Sequence, residues 1–429
     1  MIKKPSRKVL AVGLKISAVA FTQPAFADFL ADGRGKLEWK NFYFSRDFRD
    51  GFPSQSKRGE WAQGVELNLK SGFTPGPVGF GLDTIAMLGI KLDSSPERSG
   101  TGLLPRDSNN QAPDDYSKML ATAKAKIGDT ELRYGGLSPQ WPLLPSNGSR
   151  LFPQYFTGGQ IVSKSIDHFT FHLGQVDKVK LRDSTNSEEL TTMTQLGAYS
   201  GRAQSHSYTY GGVDYELLKN LTLSVHLSEL EDFYQRTYLG FKYSRALGPG
   251  KAFTEIRYFG AQDTGAKKIG EVDNKVISTN FGYQLGAHRI SGGYQKVAGD
   301  TAYVYLGGTD TYLFSEQQAY TFSLQNEVAW HARYDYEFAE LGIPGLTLTF
   351  RYVKGEDVNP QNIATGKAAL LRREGREGQE WERTTDLIYV VQRGPLKNFS
   401  IRWRNATARS TLQDGVDENR LILSYAINF

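Results

Sequence analysis

The chain has 429 residues, no cysteine, and 51 basic against 46 acidic side chains. Five of the basic residues (Lys3, Lys4, Arg7, Lys8 and Lys15) and none of the acidic ones lie in residues 1–27, so the remainder carries 46 of each sign. Neutrality excludes binding of nucleic acid through bulk charge, and the missing cysteines exclude a disulfide framework and thiolate metal ligands.

In chain order, the basic residues Lys3 to Lys8 precede a mostly apolar stretch, Val9 to Phe21, and then Ala25-Phe26-Ala27, which has the small-x-small form of a cleavage site. This predicts a secretory signal peptide over 1–27, with residues 28–429 forming one domain. Lys15 is an unusual charge inside that stretch. No later run reaches the ~18 apolar residues of a spanning helix. The mean hydropathy of −0.45 fits a soluble protein, but also a barrel whose strands each turn one face to water.

Alternation with period two recurs from end to end. Leu37, Trp39, Asn41 and Tyr43 share one face; so do Val65, Leu67 and Leu69, and then Leu82, Thr84, Ala86, Leu88 and Ile90. The pattern returns in Leu221–Leu227, Leu239–Tyr243, Leu346–Tyr352, Leu387–Val391 and Phe399–Trp403. Short turns are expected near 74–78, 128–130, 164–168, 217–220, 248–250, 286–288, 342–345 and 394–398. Between them lie longer polar segments, at 93–115, 136–158, 177–207, 260–275, 296–327 and 354–382, and shorter ones near 45–58, 229–235 and 408–418. Short and long connections alternate strictly. That asymmetry predicts an all-β fold, a transmembrane antiparallel β-barrel of about 18 strands with short periplasmic turns and longer outer loops. A soluble sandwich or propeller gives no reason for it.

The last segment carries Leu421, Leu423, Tyr425, Ile427 and Phe429 on one face. An apolar terminal strand invites edge pairing in water, but in a barrel it pairs with the first strand and faces lipid. It is also the expected handle for the barrel-assembly machinery. Outer-membrane lipid and lipopolysaccharide are the expected surroundings, Trp39, Tyr134, Tyr352, Trp403 and Tyr425 the expected interface aromatics, and a monomer or weak trimer the expected state.

If the apolar face meets lipid, the other face lines the lumen, because a charge on the lipid face costs about 2–4 kcal/mol near mid-membrane. Alternation then sends Lys40, Arg257, Arg333, Arg351, Arg402, Arg404 and Arg420 inward. All but Arg257 fall on neighbouring strands of one wall, interrupted by the strand of Asp386. A guanidinium column suits carboxylates, which it grips bidentately. The plain alternative is that these arginines are spent on lumen carboxylates such as Glu255, Asp335, Glu337 and Asp386. The motifs of hydrolases, phosphate loops and dinucleotide sites are absent from the sequence. Lumen-facing His172, His226 and His331 leave a barrel-embedded hydrolase as an alternative, and a structural protein with a closed lumen as another. Acidic stretches such as Asp114-Asp115 and Glu374 to Glu377 read as solvated loop tips, so no metal or cofactor is expected.

Several short stretches carry a family resemblance: Asn41–Phe48, Glu60–Gly64, Ser71–Thr74, Val78–Gly81, Ser149–Gln154, Ala332–Asp335, Gly342–Thr347 and Val390–Pro395. In this order they make the chain resemble the OprD-type outer-membrane carboxylate channels over nearly all of residues 28–429. The resemblance implies an 18-strand barrel narrowed by its third and seventh outer loops, with a basic ladder facing acidic loop residues. It implies selective passive diffusion of small carboxylates, such as amino acids and aromatic or other organic acids. On the third loop it points to Arg150; on the seventh it points to Asp300, Tyr303, Tyr305 and Asp310. Gly148 stands where the family often has an acidic residue before Ser149, so one local ion pair is expected to be missing. Ile388 sits where a basic residue would extend the ladder, which leans the substrate class from basic amino acids towards smaller or aromatic carboxylates.

Overall fold

A computed structural model describes residues 29, 32–51 and 53–429. The leader expected over 1–27 lies outside the described residues. Strands β1 (Arg34–Arg49), β2 (Lys57–Lys70), β3 (Gly79–Asp93), β4 (Asp115–Ile127), β5 (Thr130–Leu137), β6 (Tyr155–Ser163), β7 (Phe169–Lys180), β8 (Tyr208–Leu218) and β9 (Leu221–Leu230) build the first half. The second half is β10 (Tyr234–Leu247), β11 (Gly250–Asp263), β12 (Asp273–Leu285), β13 (His288–Gly299), β14 (Val328–Glu337), β15 (Leu346–Val358), β16 (Gly378–Val390), β17 (Ser400–Ser410) and β18 (Gly415–Asn428).

Each strand pairs antiparallel with its sequence neighbours, and β1 pairs with β18 from Lys36 opposite Asn428 to Arg49 opposite Gly415. The sheet therefore closes, which removes the free edge that an apolar last strand would otherwise expose. Beyond the strand ends, Gly35 and Phe429 exchange backbone hydrogen bonds of 2.6 and 2.9 Å.

The connections follow the predicted alternation in part: several outer ones are long, but the outer connections 231–233 and 411–414 are shorter than the inner ones 71–78, 338–345 and 391–399. Two-residue turns join β4 to β5, β8 to β9, β10 to β11 and β12 to β13. Gly248 and Gly286 take positive φ there (57° and 52°), the backbone that a tight hairpin demands and a side chain resists. At the other end the third (138–154), fourth (181–207), seventh (300–327) and eighth (359–377) connections are long. The eighth contains a short helix, α1 (Gly366–Glu374), capped by Thr365, whose side chain accepts from the Ala368 amide. Among the described residues no helix is long and apolar enough to cross a membrane.

The outer surface carries exposed apolar side chains, with Leu88, Leu132, Leu173, Leu227, Phe281, Phe350, Trp403 and Leu421 all pointing out. A band of this kind is stable against lipid, not water. The buried core is inside the barrel, where inward side chains pack under the long loops. Tyr208, Tyr210, Leu230 and Val176 meet Leu144, Leu306 and Tyr199 of three different loops. Phe42, Phe44, Met87 and Tyr116 meet Leu103, Leu151 and Phe152.

Candidate functional site: a basic wall under two inward loops

Pairing register builds the wall directly. On β14 to β18 and β1 the inward residues fall into rows. One row contains Arg333 opposite Arg351, and continues to Glu418 opposite Arg46. The next contains Asp386 opposite Arg404, Arg404 opposite Arg420 and Arg420 opposite Phe44. Arg402 lies one register further, opposite Ile388 and Ile422. Cationic side chains thus stack over three successive registers, because alternate residues of a strand share a face.

Most of these cations have carboxylate partners. Asp386 accepts from Arg402 Nε at 2.8 Å. Arg404 Nε lies 3.0 Å from the same carboxylate, but its N–H is not aimed at it and finds no acceptor. Arg333 forks onto Asp335, and Arg257 onto Glu255 at 2.6 Å. Three of the four carboxylates named from the sequence therefore take arginines. Even so, the Arg402 and Arg333 side chains keep 39% and 43% of their surface open, so these guanidinium groups retain donors on the lumen side.

Arg420 is inward as expected but only 2% exposed. It donates to Glu418 at 2.6 Å, as does Arg46 at 2.5 Å, and both guanidinium groups lie over Phe44. Its expected place in the lining is therefore corrected: it underlies the wall and is shut off from the lumen. Lys40 faces in and donates to Leu151 O of the third loop at 3.1 Å.

The third and seventh connections both lie against inward side chains. From the seventh, Thr311 O accepts from the Tyr303 hydroxyl at 2.9 Å, and that hydroxyl also accepts from Arg236 of β10. Tyr312 and Phe314 sandwich the Arg257 guanidinium, 3.8 and 3.9 Å from the ring centres. Phe314 O and Glu316 O accept from Arg351. The amides of Gln318, Ala319 and Tyr320 then converge on the Glu382 carboxylate, at 2.9 to 3.2 Å. In the third, Arg150 donates to Thr101 O at 2.7 Å and to Ser149, with its guanidinium over Phe44. The two connections meet where Asn147 Nδ2 donates to Asp310 Oδ1 at 2.5 Å, and Asn147 Oδ1 accepts from Arg182 at 2.8 Å.

Burial sets the electrostatics of this meeting point. It pushes the Glu316 carboxyl up to about 7, helped by the nearby Asp310 charge, against the two hydrogen bonds it accepts from Thr311. Asp310 is raised for the same first reason, with Arg182 and Arg150 opposing. Burial lowers Arg150 and Arg182 from the usual guanidinium value; repulsion from Arg420 and Arg182 adds to it at Arg150, while Asp183 and Asp310 oppose it at Arg182.

Of the four acidic and aromatic residues expected on the seventh loop, Asp310 stands at this junction. Asp300 is exposed next to the loop end of β13. Tyr303 and Tyr305 are buried, 0% and 3% exposed, in a cluster with Phe259, Val276 and Val297. Their expected position facing the passage is corrected: they wedge the loop against the wall. Sequence reasoning missed Arg46, Arg182 and Glu316. The sequence places Arg46 in the connection near 45–58, but β1 runs on to Arg49. The other two sit in loops, where no periodicity fixes a side chain's direction.

The opposite wall is different. His172 Nε2 and His226 Nε2 flank Asp214, at 2.9 and 3.1 Å, and Ser224 donates to the same carboxylate at 2.5 Å. Trp141 packs tilted against His172, Tyr238 edge-on against His226, and Tyr210 edge-on against Trp141. The carboxylate is the hub here, whereas a serine hydrolase needs imidazole between serine and carboxylate. His331 contacts Asn280 at 3.3 Å. Among the described residues no group of three or more acidic or histidine side chains is placed to hold a metal ion.

Comparison with known proteins agrees along the whole described chain. The family model described as outer membrane porin, OprD family, matches residues 27–429. Porin D of Pseudomonas aeruginosa is 33% identical over 447 aligned positions, covering 97% of this chain and 98% of that protein. The crystal structure of Pseudomonas aeruginosa OccK9 (OpdG) superposes with a TM-score of 0.88 at 38% identity, over 94% of this chain and all of that one. That of Pseudomonas aeruginosa OpdK with vanillate gives 0.86 at 32%, with the same coverage.

Proposed function

This chain belongs to the OprD family of outer-membrane porins, an integral protein of the bacterial outer membrane that passes small solutes; from that premise we propose that its solutes are small organic carboxylates, aromatic acids among them. The observation that carries this reading is the arrangement around Asp386. One carboxylate serves two guanidinium groups, Arg402 is partly open, and an Arg404 N–H has no acceptor. A carboxylate solute completes that set. It meets Arg333, Arg351, Arg404 and Arg402 in successive registers and exchanges between them.

The energetics suit passage better than capture. Two unit charges 4 Å apart attract by about 1 kcal/mol in water and about 4 kcal/mol at an effective dielectric of 20. Each site is already half-neutralised by Asp386 or Asp335, so the added attraction stays modest. Several such sites in series admit an anion and release it, as conduction requires. Asp310 and Glu316 of the seventh loop, the latter beside Arg351, keep the passage from filling with anions, and supply a place for the ammonium of a zwitterion. Relatives include one whose structure holds vanillate, an aromatic carboxylate, and Ile388 beside Arg402 offers a ring an apolar neighbour.

The test is uptake of vanillate, benzoate, arginine and succinate into proteoliposomes, with Arg402→Ala/Arg404→Ala alongside the parent. Carboxylate uptake at low concentration should fall about tenfold, equivalent to about 1.4 kcal/mol, while passage of a neutral sugar of the same size changes less than twofold. Equal loss for the sugar would show that the arginines only shape the pore, and unchanged carboxylate uptake would overturn the reading.

A further inference from the structure

The seventh connection returns to the wall at Glu327, the residue before β14, and this carboxyl is fully buried. Its Oε2 accepts from the Leu324 amide at 2.9 Å, and its own amide donates to Leu324 O at 3.2 Å, which closes a tight turn. Its Oε1 is buried and has no hydrogen-bond partner. A Cβ built on Gly355 of β15 would overlap that oxygen and meet Phe322 at 3.0 Å. Gly355 does not have positive φ, so its missing side chain serves to make room for the carboxyl. Opposite Gly355 on β16 stands Glu380, also buried. Opposed residues of an antiparallel pair have Cβ atoms about 5 Å apart, so the two carboxyl groups meet over the gap that Gly355 leaves.

Their surroundings are apolar. Tyr320, Phe322 and Val353 pack on the lumen side of the pair, and Leu324, Val358 and Leu412 on the loop side. Glu380 Oε2 accepts from Ser410 at 3.1 Å and from Gln413 at 3.0 Å, both neutral donors. The cations of the elements packed here are engaged elsewhere. Lys367 of α1 donates to Ser410 O at 3.0 Å, Lys296 of β13 donates to Asn326 O at 2.8 Å, and Arg409 of β17 pairs with Asp417 at 2.9 Å and with Asp50 at 3.4 Å. Two further titratable groups face the pair. Glu382, one inward position along β16, is held by three amides of the loop, and the Tyr320 hydroxyl donates to Asp414 O at 2.6 Å. Among the described residues neither Glu327 nor Glu380 is therefore given a counter-charge. Two such carboxyls cannot both stay ionised, because burial and repulsion act in the same direction. Burial first, and then the Glu380 charge, push the Glu327 carboxyl well above the usual carboxylate range.

We propose that Glu327 and Glu380 share one proton at neutral pH, and that this carboxyl–carboxylate bond clips the returning end of the seventh loop to the wall and lets go in alkaline surroundings. One carboxyl donates its O–H and the other accepts, which supplies the partner that Glu327 Oε1 otherwise lacks. Hydroxide takes the shared proton as water and leaves two anions with no cation between them. Their repulsion parts the loop from β16. The bond is present below the upper ionisation of the pair and is lost as pH rises through it, since an acid raised by folding stabilises the folded loop only while it keeps its proton. The backbone gives the release a direction. Phe322 and Asn326 flank the turn with φ of 52° and 64°, a conformation that phenylalanine resists. Freed from the clip, the turn relaxes, and the part of the same loop that lies on Arg257 and Arg351 loosens with it.

The test follows amide hydrogen exchange of residues 322–327 in the whole protein in nanodiscs, expressed relative to the intrinsic exchange rate at each pH. In the parent, protection should fall about tenfold between about pH 7 and about pH 9.5. Glu327→Gln and Glu380→Gln each replace the shared proton by an amide donor that does not titrate, so their protection should change less than about twofold over the same interval. Infrared difference spectra at neutral pH should show one protonated carboxyl in the parent that each variant lacks. Protection in the parent that does not fall, or that falls equally in both variants, would overturn the proposal. So would a protonated-carboxyl band of unchanged intensity in both variants. Calcium that restores the parent's protection at the alkaline end would make the pair a cation site and overturn the shared proton. If one variant fails to show a heat-modifiable folded band, the other decides; if both fail, the parent's alkaline exchange decides alone.

Discussion

Two walls of the same lumen each organise their polar groups around one aspartate, and they do so with different chemistry. On β16 and β17, Asp386 serves Arg402 and Arg404, whose charges are permanent and whose side chains remain partly open. On β7 to β9, Asp214 serves His172, His226 and Ser224, and rings close over them. The first arrangement leaves donors unspent and can trade a fixed carboxylate for a mobile one. In the second the carboxylate takes three donors, so it holds strands together and leaves little for a solute. The contrast lies in the partners: Arg402 stays partly open, while His172 and His226 are enclosed by aromatic rings.

The sharpest way to break that contrast is Asp386→Ala. It strips the counter-charge from two arginines, and the ratio of anion to cation permeability, read from reversal potentials in a salt gradient, should rise about tenfold, equivalent to about 1.4 kcal/mol. A ratio that stays put would mean that Arg402 and Arg404 do not face the ion path. Asp214→Ala should act on the other side of the comparison. It orphans two imidazoles and a hydroxyl, so resistance to denaturant should drop by about 2 kcal/mol while the permeability ratio moves less than twofold. A large selectivity change there would make the ring wall a second transport surface.

A smaller effect is expected from pH. The folded protein holds Glu316 near 7, above its ordinary value of 4.5. As pH falls through about 7 the folded loop takes up a proton that an unfolded chain takes up only near 4.5. The cost of the buried charge is thus present above 7 and is removed between 7 and 4.5, so the loop's packing gains stability as pH falls across that window. In the same window the constriction loses one negative charge, and anion preference should rise about twofold between pH 8 and pH 6. Glu316→Gln should show the acid-side preference at both values. A variant that keeps the full pH step would assign it to another group.

How much of this could be read from the chain depends on periodicity. Wherever a strand runs, alternation sends each arginine to a definite side, so Arg333, Arg351, Arg402 and Arg404 were placed from sequence, and the turns at Gly248 and Gly286 announced themselves. What alternation lacks is depth. Arg420 points inward as expected, yet Glu418, Arg46 and Phe44 bury it. In the loops there is no period at all. Tyr303 and Tyr305 read as residues facing the passage, but the wall offered their rings an apolar cluster and Arg236 offered a hydroxyl partner. Arg182, from the long fourth connection, reaches Asn147 and Ser149 at 2.8 Å. Such contacts join residues tens of positions apart, and no local pattern encodes them.

The seam between β1 and β18 has a further consequence, one of time. Its pairs, Lys36 with Asn428 through Arg49 with Gly415, join opposite ends of the chain, so no part of the seam can form until the last strand has been synthesised. Hairpins between neighbouring strands can form early and cheaply, but this contact carries the largest loop-closure entropy in the molecule. Until it forms, both edges offer unpaired backbone to any passing strand. Closing the cylinder therefore waits on this one seam, the contact of greatest sequence separation in the sheet.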